Sequence, residues 1–282
     1  MEGWVEVSPP SSILPIFLFS SILPFFNTMT TLNFKSRIAV IDANIRVGDL
    51  RDEPSPCRNR GELLDEMDRH GVDRGFIYHA QAEVLSPIDG NVYLEVWLGD
   101  DGRLHPQWSV MPTHDSIAQI QRLHAEGRVH CVRLHDTRQS GLPFRPWAYD
   151  NLLSWLSEAG IPVFISVPDA DLDELVTTLQ AYPALVSILV GAHYTHALWV
   201  RPLLTALPNA HLELSRYEPI CEIEALRDEF GADRLVYGSW YSRYAMGPML
   251  FYLHHTDLSD AELAQVCEGN LIRLLELPSF DK

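Results

Sequence analysis

Ile38-Ala39-Val40-Ile41-Asp42-Ala43-Asn44-Ile45-Arg46-Val47-Gly48 reads as a short buried strand that runs into a polar turn. Side chains alternate across a strand, so Asn44 and Arg46 share one face. As the first strand of a parallel barrel, this stretch puts both residues at the C-terminal mouth, where barrels carry their chemistry.

The rest of the chain fits that reading. From Lys35 onward, strand-like runs alternate with amphipathic helical runs, the pattern of a parallel α/β sheet. Strands are expected over residues 37–43, 72–79, 107–111, 129–134, 162–167, 185–190, 211–215 and 234–238. Helices are expected over 62–70 (stopped by Gly71), 92–97, 116–126, 147–158, from 171 onward, 197–207 with Pro202 inside, 222–230 and 259–275. No linker rich in Pro, Gly or Ser interrupts the series. The expected fold is therefore α/β, a single (β/α)8 TIM barrel over residues 35–282, a size usual for one such domain.

Residues 1–34 read as an apolar N-terminal extension. Residues 11–26, SSILPIFLFSSILPFF, carry no charge and are broken by Pro15 and Pro24. A membrane span needs about 20 apolar residues, so no integral span is expected. Glu2 and Glu6 precede the run without Lys or Arg, which is unlike a secretion signal. Met29 is the expected native start, with a membrane-associating tail as the alternative reading of the segment before it.

The net charge of −17 argues against nucleic acid, whose binders need a basic face. Cys57, Cys131, Cys221 and Cys267 form no C-x-x-C pair, and reduced thiols in the cytoplasm are expected. No phosphate-binding glycine loop and no Gly-x-Ser-x-Gly elbow occurs, and no cofactor is expected. Homo-oligomerisation is left open.

Five motifs in order resemble the amidohydrolase superfamily, in the amidohydrolase-related branch of decarboxylases of the aminocarboxymuconate-semialdehyde type and lactonases of the pyrone-dicarboxylate type. Residues 41–48 are similar to its opening Asp-x-His-x-His-x-Gly stretch. Gly71-Val72-Asp73-Arg74 resembles the approach to its second strand, and Val132-Arg133-Leu134-His135 resembles its fourth-strand Val-Lys-Leu-His. Residues 234–241, RLVYGSWY, resemble the eighth-strand stretch ending Phe-Gly-Ser-Asp-Tyr. Glu268-Gly269-Asn270 opens a run like its closing helix.

The resemblance implies a metal held at the strand ends, and there this chain departs from the pattern. The family's first-strand histidines fall on Asn44 and Arg46, and its fifth-strand histidine on Ser166. Its sixth-strand histidine falls on Gly191, or on His193 if the register slips by two. Its eighth-strand aspartate falls on Trp240. A permanent cation such as Arg46 is no metal ligand, so no catalytic metal is expected.

Arg46 then reads as a substitute cation that clamps a carboxylate or polarises a carbonyl, or else as a rim arginine paired to an acid. Arg133 and His135 share the inward face of strand four. Arg133 holds a ligand or pairs with Glu213, and His135 is the leading acid/base candidate, with His193 beside it. Asn44, Tyr78, Ser166, Trp240, Tyr241 and Arg243 complete the expected binding set, with Tyr78, Trp240 and Tyr241 forming an aromatic wall.

Two functions follow. The first is a metal-independent hydrolase or lyase acting on a small, anionic carbonyl compound by lactone or ester hydrolysis, decarboxylation, or hydration or isomerisation. The second is a catalytically inactive relative that binds a ligand or a protein. Convergence of Arg46, Arg133 and a histidine on one open point favours the first; paired-off arginines under a Trp240 plug favour the second.

Overall fold

A computed structural model describes residues 34–50, 53–100, 102–134 and 141–278. The N-terminal extension, the Met29 start and His135 lie outside the described residues.

The strands are β1 (Ile41–Val47), β2 (Arg74–His79), β3 (Leu104–Pro106), β4 (Trp108–Ser109), β5 (Val132–Leu134), β6 (Val163–Ser166), β7 (Ser187–Val190), β8 (Ala210–Glu213) and β9 (Leu235–Val236). All neighbouring pairs are parallel. β3 and β4 are two parts of one barrel strand. Gln107 lies between them and its N–H continues the ladder to the Ile77 carbonyl at 2.8 Å. The ring closes where the Ala43 N–H donates to the Tyr237 carbonyl at 3.1 Å and Ile45 bridges Tyr241. The result is the expected eight-stranded (β/α)8 barrel.

The helices are α1 (Arg60–His70), α2 (Gln81–Val84), α3 (Pro87–Glu95), α4 (His114–Ala125), α5 (Pro146–Glu158), α6 (Leu172–Ala181), α7 (Ala197–Ala206), α8 (Glu222–Phe230), α9 (Gly247–Leu253), α10 (Asp260–Ala264) and α11 (Asn270–Leu274). Local chemistry sets their ends. Asn59 caps α1, and Gly71 ends it at φ 73°, a left-handed conformation that suits glycine. Asp171 caps α6 rather than lying inside it, accepting from two N–H groups. Ser259 and Glu262 form a reciprocal capping box on α10. A π-helical turn, Gln265–Gly269, separates α10 from α11 within the expected closing helix. Among the described residues no helix is long and apolar enough to cross a membrane.

Three expectations shift. β1 begins at Ile41, because the Val40 N–H donates to the Asp73 carboxylate at 2.9 Å instead of to a strand. The third strand starts earlier than expected and breaks at Gln107, after Pro106, which has no N–H to give. The expected helix over 92–97 is α3, opened by a Ser86 cap and Pro87. Val92, Tyr93 and Val96 are exposed while Leu94 is buried, so apolar residues on both faces erase the helical stripe.

Alternation divides the core. Val163, Ile165, Leu189, Leu212 and Leu235 face the helix layer. Ile41, Ala43, Phe76, Cys131, Phe164, Ile188, Val190 and Val236 cluster with Leu271 of α11 and Leu275 just after it and fill the barrel interior. In β1 the register shifts between Asp42 and Ile45. This bulge brings Ala43 and Asn44, adjacent in sequence, both to the interior.

Asn270 fastens the closing helix to the sheet, donating to the Ala232 and Leu235 carbonyls at 2.8 Å each while almost fully buried. Asn270→Ala leaves two buried acceptors short of a donor and is expected to cost about 2–3 kcal/mol. The check is a lower urea midpoint with unchanged far-UV circular dichroism.

Candidate functional site

The interior polar layer at the C-terminal end is built on Arg133 of β5, which is 1% exposed. Its Nη1 donates to Asn44 Oδ1 and to Gln107 Oε1, both at 3.0 Å. Its guanidinium carbon lies 3.9 Å from the centroid of the Tyr78 ring. Gln107 in turn donates its amide to the Ala43 carbonyl at the bulge. Asn44 passes the connection on, its Nδ2 donating to Glu213 Oε2 at 3.2 Å. Arg133 and Glu213 are therefore joined through Asn44.

Glu213 is fully buried and accepts from the Ser215 N–H at 2.8 Å and the Ser215 hydroxyl at 3.0 Å. It has room because position 238 is glycine; a Cβ there would stand 2.1 Å from Glu213 Oε1. Burial pushes the Glu213 carboxyl up to about 7, with the Asp42 carboxylate adding to the rise. Burial also pushes Asp42 up to about 6, against hydrogen bonds from Ser239 and the Asn44 N–H.

Trp240 covers this layer. It is 6% exposed, and its Nε1 donates to the Tyr78 hydroxyl at 3.1 Å. Its ring packs on Gly191, where a Cβ would come within 2.7 Å of it. Arg243 stacks on its ring, 4.9 Å from the centroid.

The structure distributes the other expected site residues differently. Arg46 is not at the barrel centre; it pairs with Glu53 at 2.9 Å and Glu83 at 3.7 Å. Tyr241 leaves the expected aromatic wall: its hydroxyl meets the Cys57 thiol at 2.9 Å, and the ring joins the helix-side core. Ser166 donates to Asp169 of its own loop. His193 sits in a loop capping box, its ring accepting from the Thr195 N–H and its own N–H donating to His196 Nδ1. Arg46, Arg133 and a histidine therefore do not meet at one point among the described residues.

Gln107, Asp42 and Glu53 are partners that the sequence reading did not single out. For Gln107 the signal was present, a polar residue at an inward strand position. For Glu53 there was none, since loop position does not fix a partner.

The sequence profile of the Amidohydrolase family matches residues 49–277. The chain belongs to the Amidohydrolase family. The matched span begins just after β1, the strand that holds Asn44 and Arg46. Among curated proteins, none matches the chain. Of solved structures, a TIM-barrel protein of Bordetella bronchiseptica is similar at 17% identity and TM-score 0.66, covering 85% of this chain and 99% of its own. The 5-carboxyvanillate decarboxylase of Sphingomonas paucimobilis is similar at 14% identity and TM-score 0.65, covering 86% and 100%. That of Novosphingobium aromaticivorans, solved with manganese and 4-hydroxy-3-methoxy-5-nitrobenzoic acid, is similar at 13% identity and TM-score 0.67, covering 89% and 100%. Identities this low speak for the shared fold.

The donor set bears on the metal that the family resemblance implies. A bound divalent cation takes about four or more N, O or S ligands. Among the described residues, no three His, Cys, Asp or Glu side chains stand together as a metal group. The Asn44 carbonyl oxygen is taken by Arg133, itself a cation. The described residues do not fit a metal ion at these strand ends.

Glu213 also makes stability depend on pH. Its carboxyl is raised in the fold above the ordinary carboxylate value, so its contribution is full below the unfolded value near 4.3 and is lost as pH rises through about 7. Glu213→Gln is expected to flatten the fall in urea-unfolding free energy between roughly pH 4.5 and 7.5. The slope is the readout, since a constant offset from altered hydrogen bonds leaves it unchanged. In a second test, Gly191→Ala places a Cβ against Trp240 at φ 81° and is expected to destabilise by about 2–4 kcal/mol, measured as a lower melting temperature.

Proposed function

We propose that this Amidohydrolase-family barrel binds a small carboxylate-bearing compound at its mouth, without a metal ion or other cofactor. One observation carries the reading: the rim already holds a carboxylate on Arg46, within range of the Arg243 charge. Glu53, with its side chain 56% exposed, accepts from Arg46 Nη2 at 2.9 Å. The Arg46 hydrogen bond and charge, with Arg243 adding to them, hold the Glu53 carboxyl below its usual range. Among the described residues Arg243 forms no ion pair of its own and lies on the Trp240 ring. A ligand carboxylate that displaces Glu53 meets the Arg46 guanidinium in the field of Arg243, whose guanidinium lies over the Trp240 ring and offers a flat cationic face to a planar or aromatic acid.

Of the two functions compatible with the sequence, the geometry favours a ligand-binding protein without turnover. Trp240 separates the rim from the buried Arg133–Asn44–Glu213 layer, and Arg46 and Arg133 are engaged within the protein. The reading of a metal-independent hydrolase or lyase rests on Glu213, a carboxyl poised near neutrality below the rim, and on His135, outside the described residues. Four unpaired cysteines suit a reducing compartment such as the cytoplasm.

The decarboxylases with similar structures are named for aromatic acids, and 2,6-dihydroxybenzoate is the probe. It is expected to raise the melting temperature, with affinity falling about 10-fold in Arg243→Ala and rising in Glu53→Gln, which removes the internal competitor. No carbon dioxide release is expected with or without added manganese. Absence of any thermal shift overturns the binding reading, and manganese-dependent carbon dioxide release overturns the metal-free one.

A further inference from the structure

Beside the mouth, a cavity of about 350 Å³ opens between the loops that follow β8 and β9. Its walls include Tyr244, Pro248, Met249 and Tyr252, and its polar members are Arg216 and Glu218. The volume lies in the range of small-molecule sites, and the lining has their usual makeup, apolar walls with few polar groups.

Arg216 is held rigidly on one edge and is free on the other. Its Nε donates to Glu218 Oε1 at 3.2 Å, and its guanidinium carbon lies over Tyr244, 4.3 Å from the ring centroid. Among the described residues its two terminal nitrogens have no hydrogen-bond or ion-pair partner. A guanidinium fixed in this way presents a fork that matches a carboxylate with two parallel hydrogen bonds. Among the described residues Glu218 Oε2 is enclosed and has no hydrogen-bond partner, on a side chain that is 35% exposed as a whole. Tyr252 contributes its ring, its hydroxyl being committed to the Pro219 carbonyl at 2.9 Å.

We propose that this cavity is a binding site for a small carboxylic acid with an apolar or aromatic body and a hydrogen-bond donor next to the carboxyl, a 2-hydroxy or 2-amino acid. The Arg216 fork takes the carboxylate, the Glu218 carboxylate turns its unpartnered oxygen outward to accept from the neighbouring hydroxyl or ammonium, and Met249, Pro248 and the tyrosines cover the body. The site is built on Arg216 rather than on the Arg46–Glu53–Arg243 rim that it adjoins, and does not rest on that reading.

Isothermal titration of the full-length chain with 3-phenyllactate, 3-phenylpropionate and 3-phenylpropanamide tests it. Phenyllactate is expected to bind tightest, phenylpropionate about 10-fold more weakly, and the uncharged amide weaker again. Arg216→Gln is expected to lower phenyllactate affinity at least 10-fold, Met249→Trp to abolish binding by filling the cavity, and Arg243→Ala to change it less than twofold. Circular dichroism melts confirm that each variant is folded, and Met249→Trp tests the cavity without touching Arg216. Loss of binding in Arg243→Ala with retention in Arg216→Gln moves the acid to the rim and overturns this site while leaving the rim reading intact. No binding of either acid overturns the site, as does equal binding of acid and amide. Equal binding of phenyllactate and phenylpropionate overturns the role of Glu218.

Discussion

A guanidinium in the middle of a barrel has to be satisfied where it stands, because it cannot release its proton. Arg133 is 1% exposed, and the strand ends are arranged around it. Asn44 and Gln107 give its Nη1 oxygens, Tyr78 gives it a ring face, and Asn44 links it to the Glu213 carboxyl; its Nε has no hydrogen-bond partner among the described residues. Removing one member strands a buried charge, which in other proteins costs about 3–5 kcal/mol. An amide suits position 44 because it accepts from a cation and donates to an anion at once.

The departures from the family pattern at Gly191 and Trp240 are also coupled, and with them goes the glycine that the chain keeps at position 238. Trp240 fits over the polar layer only because position 191 has no side chain, and Glu213 fits below only because position 238 has none. The indole then spends its single N–H on the Tyr78 hydroxyl, whose ring lies against Arg133. An acid at 240 would face the already raised carboxyls of Asp42 and Glu213. Volume and charge thus point the same way.

The barrel was legible in the sequence because alternation and helix caps are local signals. Asn59, Gly71 and Ser259 mark boundaries within a few residues of themselves. The closing helix was visible through Gly269-Asn270, and Asn270 bonds the carbonyls of Ala232 and Leu235. Misplaced boundaries have tertiary causes: Asp73 takes the N–H of Val40, and α3 is apolar on both faces. In the candidate site, strand-end positions could be read, but partners could not. Tyr241 is next to Trp240 in sequence yet turns to Cys57, 184 residues away. Arg46 finds Glu53 on a loop, and Arg133 finds Asn44 at a bulge that no residue type announced.

The same constraint orders the two surface arginine sites. At the rim, an incoming carboxylate competes with Glu53, which is tethered to the chain and so acts at an effective concentration in the millimolar range or above. At Arg216 the internal acid sits on Nε, and among the described residues no side chain holds the two terminal nitrogens, so a ligand there has no such tethered competitor to displace. A chain of net charge −17 repels anions at long range, but that field is screened beyond about 8 Å at physiological salt. Discrimination therefore rests on the local fork and on the walls beside it. Tyr244 lies under Arg216 and meets Trp240 edge-on at 6.0 Å, so the two sites share an aromatic boundary. With Arg133 sealed inside, the chemistry open to solvent is that of the loops around it.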